Sequence, residues 1–413
     1  MSAPFWGHVF PSLAVAEELV HRGHRVTFVT GVEMADAVRS VGADFLRYES
    51  AFEGVDMYRL MTEAAPNAIP MTLYDEGMSM LRSVEEHVGK DVPDLVAYDI
   101  ATSLNVGRVL AASWSRPAMT VIPLFASNGR FSTMQSVLDP DSTQVSAPPP
   151  RFSEQMELFG LGALVPRLAE LLVSRGITAP VDDFLSGPED FNLVCLPRAF
   201  QYAGDTFDER FAFVGPCLGK RRGLGEWTPP DSGHPVVLIS LGTVFNRQLS
   251  FFRTFVQAFT DAPVHVVISL GKGVDPDVLR PLPPNVEVHR WVPHHAVLEH
   301  ARALVTHGGT GSVMEALHAG CPVLVMPLSR DAQVTGRRIA ELGLGRMVQP
   351  EEVTAATLRR HVLDIISDDA ITRQVRQMQR ATVEAGGALR AADETERFLR
   401  RTRRHRPTAR AGR

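Results

Sequence analysis

The stretch Trp291 to Asp331 reads WVPHHAVLEHARALVTHGGTGSVMEALHAGCPVLVMPLSRD, and its middle decides what fold the chain forms. A short apolar run, Ala303 to Thr306, has the composition of a buried strand and stops at His307-Gly308-Gly309. A helix resumes at about Ser312, with Glu315 on its first turn. Strand, glycine turn and helix in this order offer free backbone N–H groups and the positive end of a helix dipole, which together suit a phosphate. The glycines let the backbone approach an anion where a Cβ would intrude, and Thr310, Ser312 and the imidazole of His307 add donors. Such a site needs no lysine and no metal-binding carboxylate.

The flanks suggest the rest of the ligand. Glu315, one turn beyond the phosphate-binding amides, can accept hydrogen bonds from both hydroxyls of a ribose, and Trp291 offers a flat face to a base. A nucleotide laid from Trp291 across Glu315 to the glycine turn leaves its terminal group near Asp331, after the next strand, Val323 to Pro327. From spacing alone, an ordinary tight turn and a core tryptophan are the competing reading.

With 413 residues, 45 % apolar and 22 % charged, the chain has the make-up of a soluble globular protein of two domains. No segment reaches the roughly 18 uninterrupted apolar residues of a membrane span. Glu17, Glu18, His21 and Arg22 interrupt the first candidate helix, so no secretory signal is read and the expected location is the cytoplasm. Cys195, Cys217 and Cys321 are too few and too irregularly spaced for a disulfide framework or a zinc site. Seven arginines fall between Arg400 and Arg413; without them 35 basic side chains face 47 acidic ones, and the body stands at −12. An acidic body does not suggest a nucleic-acid binder, and the basic end reads as a solvated tail rather than a contact for RNA or an anionic surface.

Taken in order, the chain reads as two α/β halves: residues 1–218, a Gly/Pro-rich linker at 219–235, and 236–387, followed by a helical segment at 388–400 able to cross back to the first half and a basic disordered tail at 401–413. The opening helix has Pro11 near its first turn and Gly23 at its end, so that His8 falls in a Gly7-His8 turn before it. A strand should precede that turn, central in a doubly wound sheet, and Met1 to Pro4 cannot supply one of useful length. Either translation begins upstream of Met1, which is the expectation, or the sheet has a gap. Residues 51–90 gather Met57, Tyr58, Met61, Met71, Tyr74, Met78 and Met80, which suits an irregular apolar ligand or a core. Asp99 closes the strand beginning at Asp94, where ligands of open α/β sheets bind, although a lone acid there also serves as a helix N-cap. A Pro-rich loop at Pro148-Pro149-Pro150 precedes a helical segment, Phe152 to Arg175. Asp139-Pro140-Asp141 and Asp275-Pro276-Asp277 read as turns rather than metal motifs.

Four segments carry a resemblance: GHVFPSLAVAEELVHRGHRVTFVT, PDLVAYD, LISLGT ending in Gly242-Thr243, and the stretch from Trp291 to Asp331. Together they resemble family 1 glycosyltransferases of the GT-B fold, in the bacterial subgroup that glycosylates macrolides and other secondary metabolites. The resemblance spans essentially the whole chain. It implies two Rossmann-like domains facing across a cleft, with a nucleotide-sugar donor in the C-terminal one and a small hydrophobic acceptor mainly in the N-terminal one. It implies His8 as catalytic base, Asp99 as the acid that orients it, Trp291 on the base, Glu315 on the ribose, His307 with Gly309, Gly311 and Ser312 on the diphosphate, and Asp331 on a sugar hydroxyl. Gly242, Thr243, His294 and Gly308 complete the donor-site candidates. Three positions depart from the family pattern: His294 and Ala332 where Gln is usual, and Phe10 where Asn is common. Losing the amide beside Asp331 argues against plain glucose as the donated sugar, unless Gln333 substitutes through a one-residue shift.

The expected chemistry is inverting, metal-independent transfer from a UDP- or dTDP-sugar to an acceptor hydroxyl, by a monomer or dimer with no further cofactor. A non-catalytic paralogue that binds nucleotide sugar for another enzyme, and a nucleotide-sugar epimerase on the same architecture, are the alternatives.

Overall fold

The computed structural model describes residues 1–62, 68–102, 105–139, 151–158, 162–219 and 226–404. The Pro148-Pro149-Pro150 loop, Pro140-Asp141, most of the charged start of the linker and the last nine residues of the tail lie outside them.

Strands β1 (Thr27–Val29), β2 (Asp44–Leu46), β3 (Val96–Asp99), β4 (Ala118–Ile122), β5 (Asn192–Val194) and β6 (Phe211–Phe213) form the first half, all pairs parallel. They fall into two pieces, β1-β2 and β3-β4-β5-β6. The break read from the sequence is present, and Met1 and Ser2 bridge it at the carboxyl ends of the strands. The Met1 amino group donates to the Ala97 carbonyl at 2.8 Å, the Asp99 amide to the Met1 carbonyl at 2.9 Å, and the Ser2 amide to the Val29 carbonyl at 3.0 Å. Beside them lies a cavity of about 490 Å³ whose lining includes Val29, Val84, Val96, Tyr98 and Trp114.

The first helix runs from Trp6 to His21, so Pro11 lies inside it and His8 on its first turn, not in a loop ahead of it. The amides of His8 and Val9 both donate to the Phe5 carbonyl at 2.9 Å and close a turn before the proline. Pro11 then removes only the N–H that would have met Gly7, a loss that one helical turn can absorb near its start.

The second half has β7 (Val236–Ser240), β8 (His265–Ser269), β9 (Val286–His289), β10 (Ala301–Thr306), β11 (Val323–Val325) and β12 (Gly345–Met347), in the order β12-β11-β10-β7-β8-β9, all parallel. β7, β8 and β11 are buried along their whole length, as a parallel sheet covered by helices on both faces requires. The strand order reverses between β7 and β10, and the crevice at that reversal is where such sheets bind ligands. Gly242 follows β7 and His307 follows β10.

The last helix, Gly387–Arg404, lies on the first half. Arg22 pairs with Asp393 at 2.6 Å, Arg403 with Asp94 at 2.7 Å, and the rings of Phe191 and Phe398 stack with centroids 5.0 Å apart. It extends past Arg400, where composition suggested a disordered tail begins, because arginines in a last turn complement the negative end of the helix dipole. The helical segment read from Phe152 to Arg175 contains the helices Phe152–Leu158 and Leu164–Ser174. The three cysteines are buried and unbridged. Among the described residues no helix is long and apolar enough to cross a membrane, and no group of three or more His, Cys, Asp or Glu is placed to hold a metal ion.

On the edge strand β9, Glu287 accepts from His289 at 2.8 Å, from His265 and from Trp227 Nε1 at 3.3 Å. The His289 contact, followed by those of His265 and Trp227, overcomes burial and holds the carboxyl at about 2. Because this value lies below the unfolded one, the group stabilises the fold fully above about 4.5, and the contribution is lost as pH falls toward 2. Melting temperature should therefore drop more steeply between pH 4.5 and 3 in the native protein than in Glu287→Gln, and parallel acid limbs would refute it.

Candidate active site

The donor side is built on the turn between β10 and the helix Thr310–Ala319. That helix begins two residues earlier than the sequence suggested, which moves Glu315 to its second turn. Gly309 is its N-cap and makes no side-chain capping bond, so the first-turn amides are left for a ligand. A Cβ on Gly311 would meet nothing within 4 Å, whereas Gly308 takes φ +96° and packs on Val325 and Ala332.

Two glycines box the His307 ring. A Cβ at Gly242 would lie 2.4 Å from its Cε1, and one at Gly309 would lie 2.7 Å from its Nε2. Burial lowers the pKa of this imidazole to about 4 against the pull of Asp331, so the ring is neutral at neutral pH. It can give an anion one N–H but no charge.

Trp291 is 47 % exposed, which decides against the core reading of this residue. It precedes the short helix His294–Leu298, which packs on the helix carrying Glu315. His294 opens that short helix, and Ser312 and Glu315 are half-buried on theirs. Asp331 is exposed on the first turn of the helix Arg330–Glu341. Ala332 is fully buried, with its backbone and Cβ against Gly308, and Gln333 lies about 200° round the helix axis from Asp331.

On the other side of the cleft, His8 Nδ1 lies 2.9 Å and 3.1 Å from the two carboxylate oxygens of Asp99 at the end of β3. Asp99 is fully buried and also accepts from the Ala101 amide at 2.7 Å, so it orders its own turn while holding the histidine. The N-cap of the following helix is Asn105 instead. Burial works to lower the His8 pKa, but the charge of Asp99, its hydrogen bond and the charge of Asp331 outweigh it and raise the net value above 6.5. Asp331 also acts electrostatically on His307, so this one carboxylate lies within reach of the charge on both imidazoles.

Three features were not read from the sequence. Asn246 is buried, donates to the carbonyls of Gly242 at 3.2 Å and Thr243 at 3.1 Å, and packs against Gly271 and Gly273; those two glycines after β8 were the available signal. Phe5 stands edge-on to His8 at 6.3 Å and packs on Phe52 at 5.4 Å. The buried carboxylate of Glu76 gathers the Tyr48 and Ser50 hydroxyls and the Ala51 amide, the last at 2.7 Å. The methionine-rich stretch divides: Met80 is core, while Met71 is 39 % exposed.

Fold and site together define a GT-B protein, with a nucleotide-type glycine turn at the switch point of one half facing a carboxylate-held histidine on the other. Residues 254–386 match the family described as erythromycin biosynthesis protein CIII-like, C-terminal domain. NDP-glycosyltransferase YjiC of Bacillus subtilis (strain 168) is 34 % identical over 97 % of both chains. Demethyllactenocin mycarosyltransferase of Streptomyces fradiae is 37 % identical over 96 % of this chain and 85 % of its own. The crystal structure of CalG4, the calicheamicin glycosyltransferase, superposes with a TM-score of 0.83 at 39 % identity, covering 97 % of this chain and 98 % of its own. The chain belongs to the family 1 GT-B glycosyltransferases of the macrolide and secondary-metabolite type, and it is a glycosyltransferase.

Proposed function

We propose that the protein transfers a sugar, with inversion and without a metal ion, from a UDP- or dTDP-sugar to a hydroxyl of a small hydrophobic natural product. The observation that carries this reading is the His8–Asp99 pair, at 2.9 Å, facing Asp331 and the neutral His307. Asp99 occupies Nδ1 and leaves Nε2 to take the acceptor proton. The acceptor oxygen attacks the anomeric carbon as the bond from that carbon to the diphosphate breaks, so the new bond forms on the opposite face. The imidazolium formed at His8 is stabilised by Asp99, and the departing diphosphate by the Gly309–Ser312 amides and the His307 N–H. Trp291 stacks on the base with His294 nearby, Glu315 holds the ribose, Gly242 and Thr243 border the phosphates, and Asp331 meets a sugar hydroxyl.

Incubation with UDP- and dTDP-sugars and a panel of hydrophobic alcohols tests the reading by mass spectrometry of the products. A glycoside of inverted anomeric configuration is expected. Bound but unreacted donor would point to a non-catalytic nucleotide-sugar carrier, and an isomerised donor to an epimerase. Transfer should continue at an unchanged rate in excess chelator, because the helix terminus and His307 do the work of a cation at the diphosphate. Loss of activity restored by Mg²⁺ or Mn²⁺ would contradict this. Asp275 and Asp277 support the expectation, since Asp275 caps the turn Pro276–Leu279 and the two carboxylates pair with Arg290 at 3.2 Å and Arg280 at 3.1 Å.

A further inference from the structure

Polar contacts join the two halves on either side of the His8–His307 space. On one side Arg338 donates to the carbonyls of Phe200 at 2.9 Å and Gln201 at 3.1 Å, and the Tyr202 hydroxyl donates to the Val334 carbonyl at 3.3 Å. On the other side Arg247 pairs with Asp56, and Gln248 Nε2 donates to the Tyr58 hydroxyl at 3.2 Å. In the second half the sheet order fixes this arrangement, since Arg247 follows β7 and Arg338 follows β11, with β10 and His307 between; in the first half Asp56 follows β2, in the piece that Met1 and Ser2 join to β3 and Asp99, and Phe200 follows β5, two strands beyond β3.

The second set of contacts ends on segments that serve the site. Arg247 adjoins Asn246, which ties down the carbonyls of Gly242 and Thr243, and Gly242 walls His307. Asp56 ends a segment that Glu76 clamps at Tyr48, Ser50 and Ala51, and whose Phe52 packs on Phe5 beside His8. We propose that Asp56–Arg247, with Tyr58–Gln248, is a latch that sets how far the cleft closes and so positions the donor loop against the base. These are positioning residues, and their effect on transfer rests on the function proposed above. The two charged side chains are 29 % and 51 % exposed, so the latch is weak and salt-sensitive, and its removal should change the closed fraction by up to about fivefold.

Spin labels on the full chain, at Glu86→Cys and Arg253→Cys on exposed helical positions of the two halves, read the closure directly, since the native cysteines are buried. Arg247→Glu should lengthen and broaden the distance distribution, and adding Asp56→Arg to it should restore the native one. With a donor and acceptor that react, kcat/KM should fall about fivefold in Arg247→Glu at unchanged melting temperature and recover in the charge swap. An unchanged distance distribution in Arg247→Glu, or a charge swap as open as the single variant, overturns the latch. Because the label distances need no turnover, a failure of the proposed reaction leaves this test decisive.

Discussion

His8→Ala should lower kcat/KM for transfer by about 10²–10⁴-fold, the usual contribution of a positioned general base, while leaving nucleoside diphosphate affinity unchanged. The geometry sets both halves of that expectation: Nδ1 is held by Asp99 at 2.9 Å, and the nucleotide candidates lie on the other half of the molecule. The pH profile adds a signature. The folded pKa of His8 is raised above 6.5, because Asp99 and Asp331 together outweigh burial. The neutral base is therefore depleted as pH falls, and kcat/KM should decline through an apparent pKa above 6.5. Asp99→Asn removes the charge of one of those carboxylates, so the same limb should move to lower pH and the plateau rate should fall. An equal loss of nucleotide affinity in His8→Ala would transfer the residue to the donor site, and a native profile in Asp99→Asn would remove the acid from the mechanism.

Gly242→Ala should weaken nucleoside diphosphate binding by about 10- to 10²-fold, the scale of losing a hydrogen bond to a charged group. The new Cβ would lie 2.4 Å from His307 Cε1, so the ring must leave the position it holds between Gly242 and Gly309. Backbone strain adds to the collision, since Gly242 has φ +73°. Gly233 supplies the control: it has φ +67° but open space around its missing Cβ, so Gly233→Ala bears the strain without displacing an imidazole. Calorimetric titration of the three proteins with UDP and dTDP separates the two effects. Native affinity in Gly242→Ala would show that His307 is dispensable at the phosphates. With the His307 pKa held at about 4, its contribution to binding should also be flat from pH 5 to 8.

The donor site was legible because it is local. β10, the glycine turn and the helix that follows are one contiguous run, and each element carries its own signal in apolar composition, glycine spacing and capping. The fold class was legible for a related reason, since strands such as VVLIS and HVVIS, apolar over most of their length without alternation, suit a sheet covered on both faces. Where a local signal met a stronger constraint it misled: Pro11 pointed to a helix start, but the turn closed by the Phe5 carbonyl begins the helix at Trp6 and brings His8 onto it. What the sequence by itself determined are residue types at strand ends and turns, including His8 and Asp99 as candidates. Tertiary structure alone decided which of them meet. His8 and Asp99 are 91 positions apart, and Arg247 and Asp56 are 191 apart. Gly242 and His307 touch only because β7 and β10 are neighbours in the sheet. Propensity and periodicity act over a few residues, whereas these contacts follow from strand order and from which side chains a packed interior leaves room to approach one another.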